Sequence, residues 1–345
     1  MNTDSSSVAF SVLDLAPILA GGTPTDTFRN SLHLAQQVEA MGYTRYWLSE
    51  HHNMASVASS APPILIGHIA GGTTSLRVGS GGIMLPNHAP LVVAEQMGTL
   101  ASLYPGRIDL GLGRAPGTDQ RTAQAIRGSR FGAVQDFPSD IQQLQTYFST
   151  ANSSSPVRAM PGEGLDIPIY ILGSSTDSAY LAAALGIPYA FASHFAPAQL
   201  LPALQIYRQH FQPSATLAAP YAIACVNVVA ADTDAQAQWL STSLQRFMLS
   251  VVAGHPAPLQ PPVKDMTPFW APAQQHMVEQ MLSYSFIGSK ATLQAELQEF
   301  VDRTQVNELM AITNVFEHEA RVYSYQLLAD ALRAVTRQPL DAVVS

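Results

Sequence analysis

A closed (β/α)8 barrel is the fold this sequence predicts, and three observations predict it. Eight short β-rich runs occur along the 345 residues. Helical patterns separate them, so the strands are expected to be parallel and joined by crossovers. The count of eight favours closure over an open doubly wound sheet. Lastly, the polar and titratable residues that stand out follow the ends of several of these runs, where a barrel builds its active site from βα loops.

The first strand is "VAFSVLDL" (8–15). After a polar, Gly-rich loop, Thr25 or Asp26 is expected to cap a helix whose apolar face carries Phe28, Leu32, Ala35 and Val38. Gly42 suits the C-terminal cap, and "YTRYWL" begins the second strand at once. The third is "LRVGSGGIML" (76–85), followed by a helix from Pro90 to about Leu103; "PGR" then turns into the fourth, "IDLGLG" (108–113). A polar region follows, with a helix at 138–149 and a Ser/Pro-rich loop at 152–164. "IPIYIL" (167–172), "PYAFAS" (188–193), "YAIACVNVV" (221–229) and "NELMAIT" (307–313) are strands five to eight, and 319–335 a closing helix. The whole chain, 1–345, reads as one barrel domain. Residues 254–275 break the alternation with many prolines and no clean period. A loop this long is expected to be a lid or an insertion, and Met266, Phe269 and Trp270 give it apolar anchors for the former.

Composition narrows the function. The chain is 47% hydrophobic with 12% charged residues and a formal charge of −8, which argues against nucleic acid or an anionic membrane as the main partner. No apolar run approaches the roughly 20 residues that span a bilayer. The N-terminal "MNTDSSSVAF" lacks a secretory pattern, and the single cysteine, Cys225, sits in an apolar strand as a core residue. A cytoplasmic enzyme is the expectation.

"WLSEHHN" (47–53) ends an apolar run with a carboxylate and two adjacent imidazoles. Zinc hydrolases place their ligands on one face, as in HExxH, whereas adjacent residues on extended backbone point to opposite sides. No metal is therefore expected, and one histidine should enter the barrel mouth for acid–base or hydrogen-bonding work. "ILGSSTDSAYLAAALG" (171–186) runs a strand through Gly173, Ser174 and Ser175 directly into a helix. Free N–H groups there can bind an anion or merely make an ordinary turn. Arg114, at the end of the adjacent strand, suits a bidentate phosphate contact. "GSGG" (79–82) places glycines inside a strand, for a flat ligand, a cis peptide or a bend. "GLGRAPG" (111–117) looks like a dinucleotide fingerprint but has its third glycine one residue late and Pro116 inside, so a Rossmann site is rejected.

The stretches "SVLDLAPI", "GYTRYWLSEHHNM", "VGSGGIMLPNHAPLVVAEQ", "YPGRIDLGLGRAPGTDQR", "ILGSSTDSAYLAA" and "FASHFAP" run in order from residue 11 to about 197. On them the sequence resembles the bacterial-luciferase-like flavin monooxygenases, in particular their compact single-chain branch. The resemblance implies a (β/α)8 barrel that takes reduced FMN from a separate NAD(P)H-dependent reductase and oxygenates a small organic substrate with O2 through a flavin hydroperoxide. It places the catalytic histidine on His51 and a cis peptide behind the flavin on Gly81–Gly82. Phosphate contacts fall on Arg114, Gly173, Ser174 and Ser175, and His194 becomes a further residue of the cofactor-site wall. It also implies a homodimer. Luciferases carry a reactive cysteine where this chain has Gly113, a departure that bears on light emission and on an aldehyde substrate. Competing readings are a deazaflavin-dependent hydride-transfer enzyme, a flavin-binding protein without turnover, and a metal hydrolase using Glu50, His51 and His52.

Overall fold

The computed structural model describes residues 6–128 and 136–337. Eight parallel strands close a barrel: β1 (Ala9–Asp14), β2 (Arg45–Leu48), β3 (Arg77–Met84), β4 (Ile108–Gly113), β5 (Ile169–Gly173), β6 (Tyr189–Phe191), β7 (Ala222–Ala230) and β8 (Glu308–Ile312). Each pairs with the next, and β8 pairs with both β7 and β1, which completes the ring. The chain is thus a (β/α)8 barrel, and every expected strand is present. Strand β7 is buried along its whole length, as its continuous apolar run requires when barrel interior and helices cover both faces.

Two details differ from expectation. The first helix, Pro24–Met41, begins earlier: Thr23 is its cap, its hydroxyl accepting from the Asp26 N–H while Asp26 accepts from the Thr23 N–H. Asp26 is therefore the reciprocal partner of a capping box rather than the cap itself. Gly42 ends that helix with φ 88°, as a left-handed cap requires. Second, "SFIG" forms an extra parallel strand, Ser285–Gly288, on the protruding end of β7. Its short, half-buried run lacked the apolar weight that marked the others.

Residues 254–275 are anchored on the loop after β1. Leu259 exchanges backbone hydrogen bonds with Ile18 and Ala20, and it is buried, as is Met266. Trp270 packs into a small cluster with Leu240 and Leu244, whereas Phe269 is 44% exposed beneath the Arg246 guanidinium.

The N-terminal end of the barrel is closed by charge. Arg45, at the start of β2, donates to Asp109 at 2.7 Å, to Glu308 at 2.8 Å and to the Tyr170 hydroxyl at 2.8 Å. Arg77 reaches the other oxygen of Asp109, and Ser11 and Tyr221 donate to Glu308. Both carboxylates are fully buried, so the cations and hydroxyls compensate charges that would otherwise be costly to desolvate.

Candidate functional site

At the opposite end, the C-terminal ends of the strands surround a cavity of about 1090 Å³, mouth included. Its floor comprises Leu13, Trp47, Ile223, Cys225 and Met310, and its wall includes His51, Gly81, Arg114, Gly173 to Ser175 and His194. All of the expected site residues but Gly82 thus converge on one cavity; Gly82, next to Gly81, is buried and does not line it. None of the lining residues comes from 254–275.

The glycines of β3 answer to crowding by the neighbouring strand. A β-carbon on Gly82 would stand 2.8 Å from the Gly111 carbonyl oxygen, and one on Gly111 would stand 2.1 Å from that of Ser80. The β3–β4 register shifts between Ser80 and Ile83, and the Gly81–Gly82 peptide is cis. Ser80 bridges the irregularity, donating to the Gly111 carbonyl and accepting from the Gly111 N–H.

The Glu50–His51–His52 run separates into two functions, because successive side chains point to different sides. His51 faces the cavity. Glu50 is fully buried outside it and accepts from His52 at 2.8 Å, His88 at 2.9 Å and the Met84 N–H at 2.9 Å. Asn87 adds a longer contact to Glu50 at 3.3 Å and donates to the Pro116 carbonyl. Glu50 therefore ties together the loops after β2 and β3, and Asn87 carries the connection on to the loop after β4. Burial disfavours its charge, yet these donors hold its pKa down, at about 2. Asn87 and His88, which follow β3, support this hub rather than lining the cavity.

Both cavity histidines are held neutral. Burial is the main cause of the lowered pKa of His51, opposed by the Gly117 carbonyl and Glu50. His194 is 8% exposed, and burial, reinforced by His51, pushes its pKa to about 3. Among the described residues, the one group of histidine and acidic side chains with metal-like spacing is His33, His318 and Glu319; none of these lines the cavity.

The rim after β5 provides anion donors. Ser175 is the N-cap of the helix Thr176–Leu185, but its hydroxyl makes no capping bond, so the hydroxyl and the first N–H groups remain available. A β-carbon on Gly173 would come within 1.9 Å of the Ser178 hydroxyl oxygen. Arg114 is the single charged side chain of the lining and lies 3.5 Å from Asp177 in the first turn of that helix, both largely exposed. A guanidinium and a helix N-terminus at one rim match a phosphate group.

Sequence reasoning missed Trp47 and the cavity-facing side of Cys225. Burial raises the Cys225 thiol well above its usual range, consistent with a floor residue and not a nucleophile. The inward side of a barrel strand has no sequence mark separating packed core from cavity floor, so no signal could have found them.

A profile of the family described as luciferase-like monooxygenase matches residues 8–329. The chain is 50% identical over 323 residues to the luciferase-like monooxygenase of Escherichia coli strain K12, covering 94% of this chain and 96% of that one. It is 30% identical over 336 residues to the N-acetyl-S-alkylcysteine monooxygenase of Bacillus subtilis strain 168, covering 96% and 100%. The solved structure of apo-MsnO8 superposes with a TM-score of 0.84 at 32% identity, covering 96% of this chain and all of that one. At the level of fold alone, the oxygenating constituent of 3,6-diketocamphane monooxygenase from Pseudomonas putida in complex with FMN gives 0.70 at 16% identity, covering 96% and 100%. An F420-dependent secondary alcohol dehydrogenase gives 0.68 at 13%, covering 95% and 100%. By its sequence over nearly its full length, this chain belongs to the luciferase-like monooxygenases, a family of oxidoreductases.

Proposed function

We propose that the cavity binds reduced FMN, supplied by a separate NAD(P)H-dependent reductase, and that the protein uses it with O2 to oxygenate a small organic substrate. The observation that carries this reading is the lining itself: a largely apolar wall with neutral histidines, and a lone cation placed beside a helix N-terminus at the rim. Arg114, Ser174, Ser175 and the N–H groups that follow Gly173 would hold the cofactor phosphate, with Asp177 displaced from Arg114. Gly81 and Gly82 would back the flavin ring. Bound reduced FMN would supply the electrons that activate O2. His51 would donate or accept a hydrogen bond beside the reacting centre, and the apolar wall would exclude water. Residues 254–275, tied to the loop after β1, would close the mouth once a ligand is bound.

The same rim could take the phosphate of a deazaflavin such as F420, so the test compares the two. Anaerobic titration with reduced FMN and with reduced F420, followed by mixing with oxygen, should give tight FMN binding and oxygen-dependent substrate oxygenation. Preference for F420, with no reaction with O2, would remove the monooxygenase reading. In the same assay Arg114→Ala should weaken FMN about tenfold while leaving riboflavin unchanged; equal weakening of both would place the phosphate elsewhere. His51→Ala should retain FMN binding and lose about 100-fold or more in oxygenation. Because the pKa of His51 is lowered, the neutral form persists below pH 6.5. Activity should therefore stay flat from pH 8 through 6.5 and decline only at more acid pH, a limb that His51→Ala abolishes.

The helices Pro62–Gly71 and Pro90–Leu103 expose Ile64 (74%), Val92 (45%) and Leu103 (63%). We read this apolar surface as the interface of a homodimer. Sedimentation equilibrium giving a single-chain mass at micromolar concentration would refute it.

A further inference from the structure

His194 has an unmet hydrogen-bonding capacity that the proposed chemistry does not use. It follows β6 and lines the cavity while only 8% exposed. Its position is fixed from two sides: Asn227 donates its side-chain N–H to the His194 carbonyl at 2.7 Å, and the Phe195 ring meets the imidazole edge-on at 4.7 Å. Its Nδ1 is sealed from solvent and has no hydrogen-bond partner among the described residues.

That sealed atom assigns the tautomer. A neutral imidazole has one N–H donor and one bare acceptor nitrogen. A buried N–H without an acceptor is rarer and costlier than a buried lone pair without a donor. The bare nitrogen is therefore Nδ1, and the proton sits on Nε2. With Nδ1 sealed, Nε2–H is the polar group that the ring can offer to the cavity. What it fits is an acceptor atom.

The surroundings restrict the charge of whatever carries that acceptor. The lining holds no carboxylate to neutralise an ammonium group, and its single cation, Arg114, belongs to the rim. Next to His194 in the chain the wall is Phe191, Ala192 and Phe195, and the one titratable neighbour that acts on its ring is His51, itself held neutral. A charged group would lose its hydration there without a counter-ion. An uncharged carbonyl requires only one donor.

We propose that His194 determines substrate specificity by donating its Nε2–H to the carbonyl oxygen of an uncharged organic substrate. The assignment rests on the reading of this cavity as the cofactor and substrate site, and it names the class of compound taken there.

Flavin also carries carbonyl oxygens, so the test must separate the two sources. The probes are cyclohexanone and methylenecyclohexane, which share a shape and differ in the acceptor oxygen. Imidazole ¹⁵N resonances of the full-length protein are followed during addition of FMN and then of each probe. FMN alone should leave the His194 Nε2 signal in place, and cyclohexanone should then shift it. Cyclohexanone should bind about tenfold more tightly than methylenecyclohexane, and His194→Phe should remove that preference while His194→Gln, which keeps an N–H donor, largely retains it.

A shift of the His194 signal by FMN alone would assign the donor to the cofactor and overturn the proposal. So would equal affinity for the two probes in the wild-type protein. Failure of FMN to bind would instead overturn the flavin reading. The probe comparison, run on the protein without FMN, would still decide the role of His194.

Discussion

Replacing Arg45 by methionine should lower the unfolding free energy by about 3–5 kcal/mol, because it leaves two buried carboxylates facing each other without their shared cation. Asp109 would keep Arg77, which is partly solvent-exposed, while Glu308 would keep only the hydroxyls of Ser11 and Tyr221. Those hydroxyls can donate to the carboxylate but cannot neutralise it. Arg45→Lys should fall between, since one ammonium cannot reproduce the geometry by which a single guanidinium serves Glu308 through Nε and both Asp109 and Tyr170 through Nη1. Urea unfolding at pH 7 measures both variants. A loss below about 1 kcal/mol for Arg45→Met would mean that water or rearranged hydroxyls satisfy the carboxylates, and the charged closure would be a minor contributor to stability.

The second large effect is expected at the other end of the barrel. Glu50→Gln preserves volume but turns the oxygen that accepts from the Met84 N–H into an N–H₂ group, setting donor against donor at 2.9 Å. The carboxyl pKa falls from its ordinary 4.5 to about 2 on folding, and that depression corresponds to about 3 kcal/mol of native-state preference for the charged form. The sign follows from the direction of the change. A carboxyl with a depressed folded pKa contributes its stabilisation above pH 4.5, and that contribution is lost as pH falls from there toward 2. The stability gap between wild type and Glu50→Gln should therefore be constant from pH 8 to about 5 and narrow below pH 4.5. A gap that stays constant through the acid range would show that the variant suffers from packing and not from lost charge. Because Glu50 joins the loops after β2 and β3 at the mouth and holds Asn87, which bonds the loop after β4, the variant should also weaken FMN binding at pH 7.

Much of this was legible because barrel strands and their loops carry local marks. Apolar runs flanked by turns set the eight strands, and the position of His51, Arg114, and the Ser174–Ser175 pair just after three different runs placed them at one mouth. Glycine at 81 and 82 indicated close approach of something, and the structure identifies it as the Leu13 and Trp47 side chains at Gly81 and the Gly111 backbone at Gly82. The closure of the N-terminal end was not legible. Arg45 and Glu308 are 263 positions apart, and each alone reads as an ordinary charged residue at a strand start. The capping residue Thr23 was missed because Thr25 and Asp26 are equally good caps by type, and only the helical phase of the backbone decides. The direction in which Glu50 points was uncertain for the same reason: alternation predicts opposite sides but not which side is inward.

Trp47 gives the cavity a depth that cannot easily change. Its ring forms part of the cavity floor, its indole N–H donates to Asp109, and Tyr170 and Arg45 pack against it from below. Any substitution that deepened the cavity at this point would also disturb the buried ions beneath it. Enlarging the range of accepted compounds by directed evolution should therefore succeed through the upper rim, where a longer molecule can extend outward. Libraries aimed at the floor should return mostly unfolded protein.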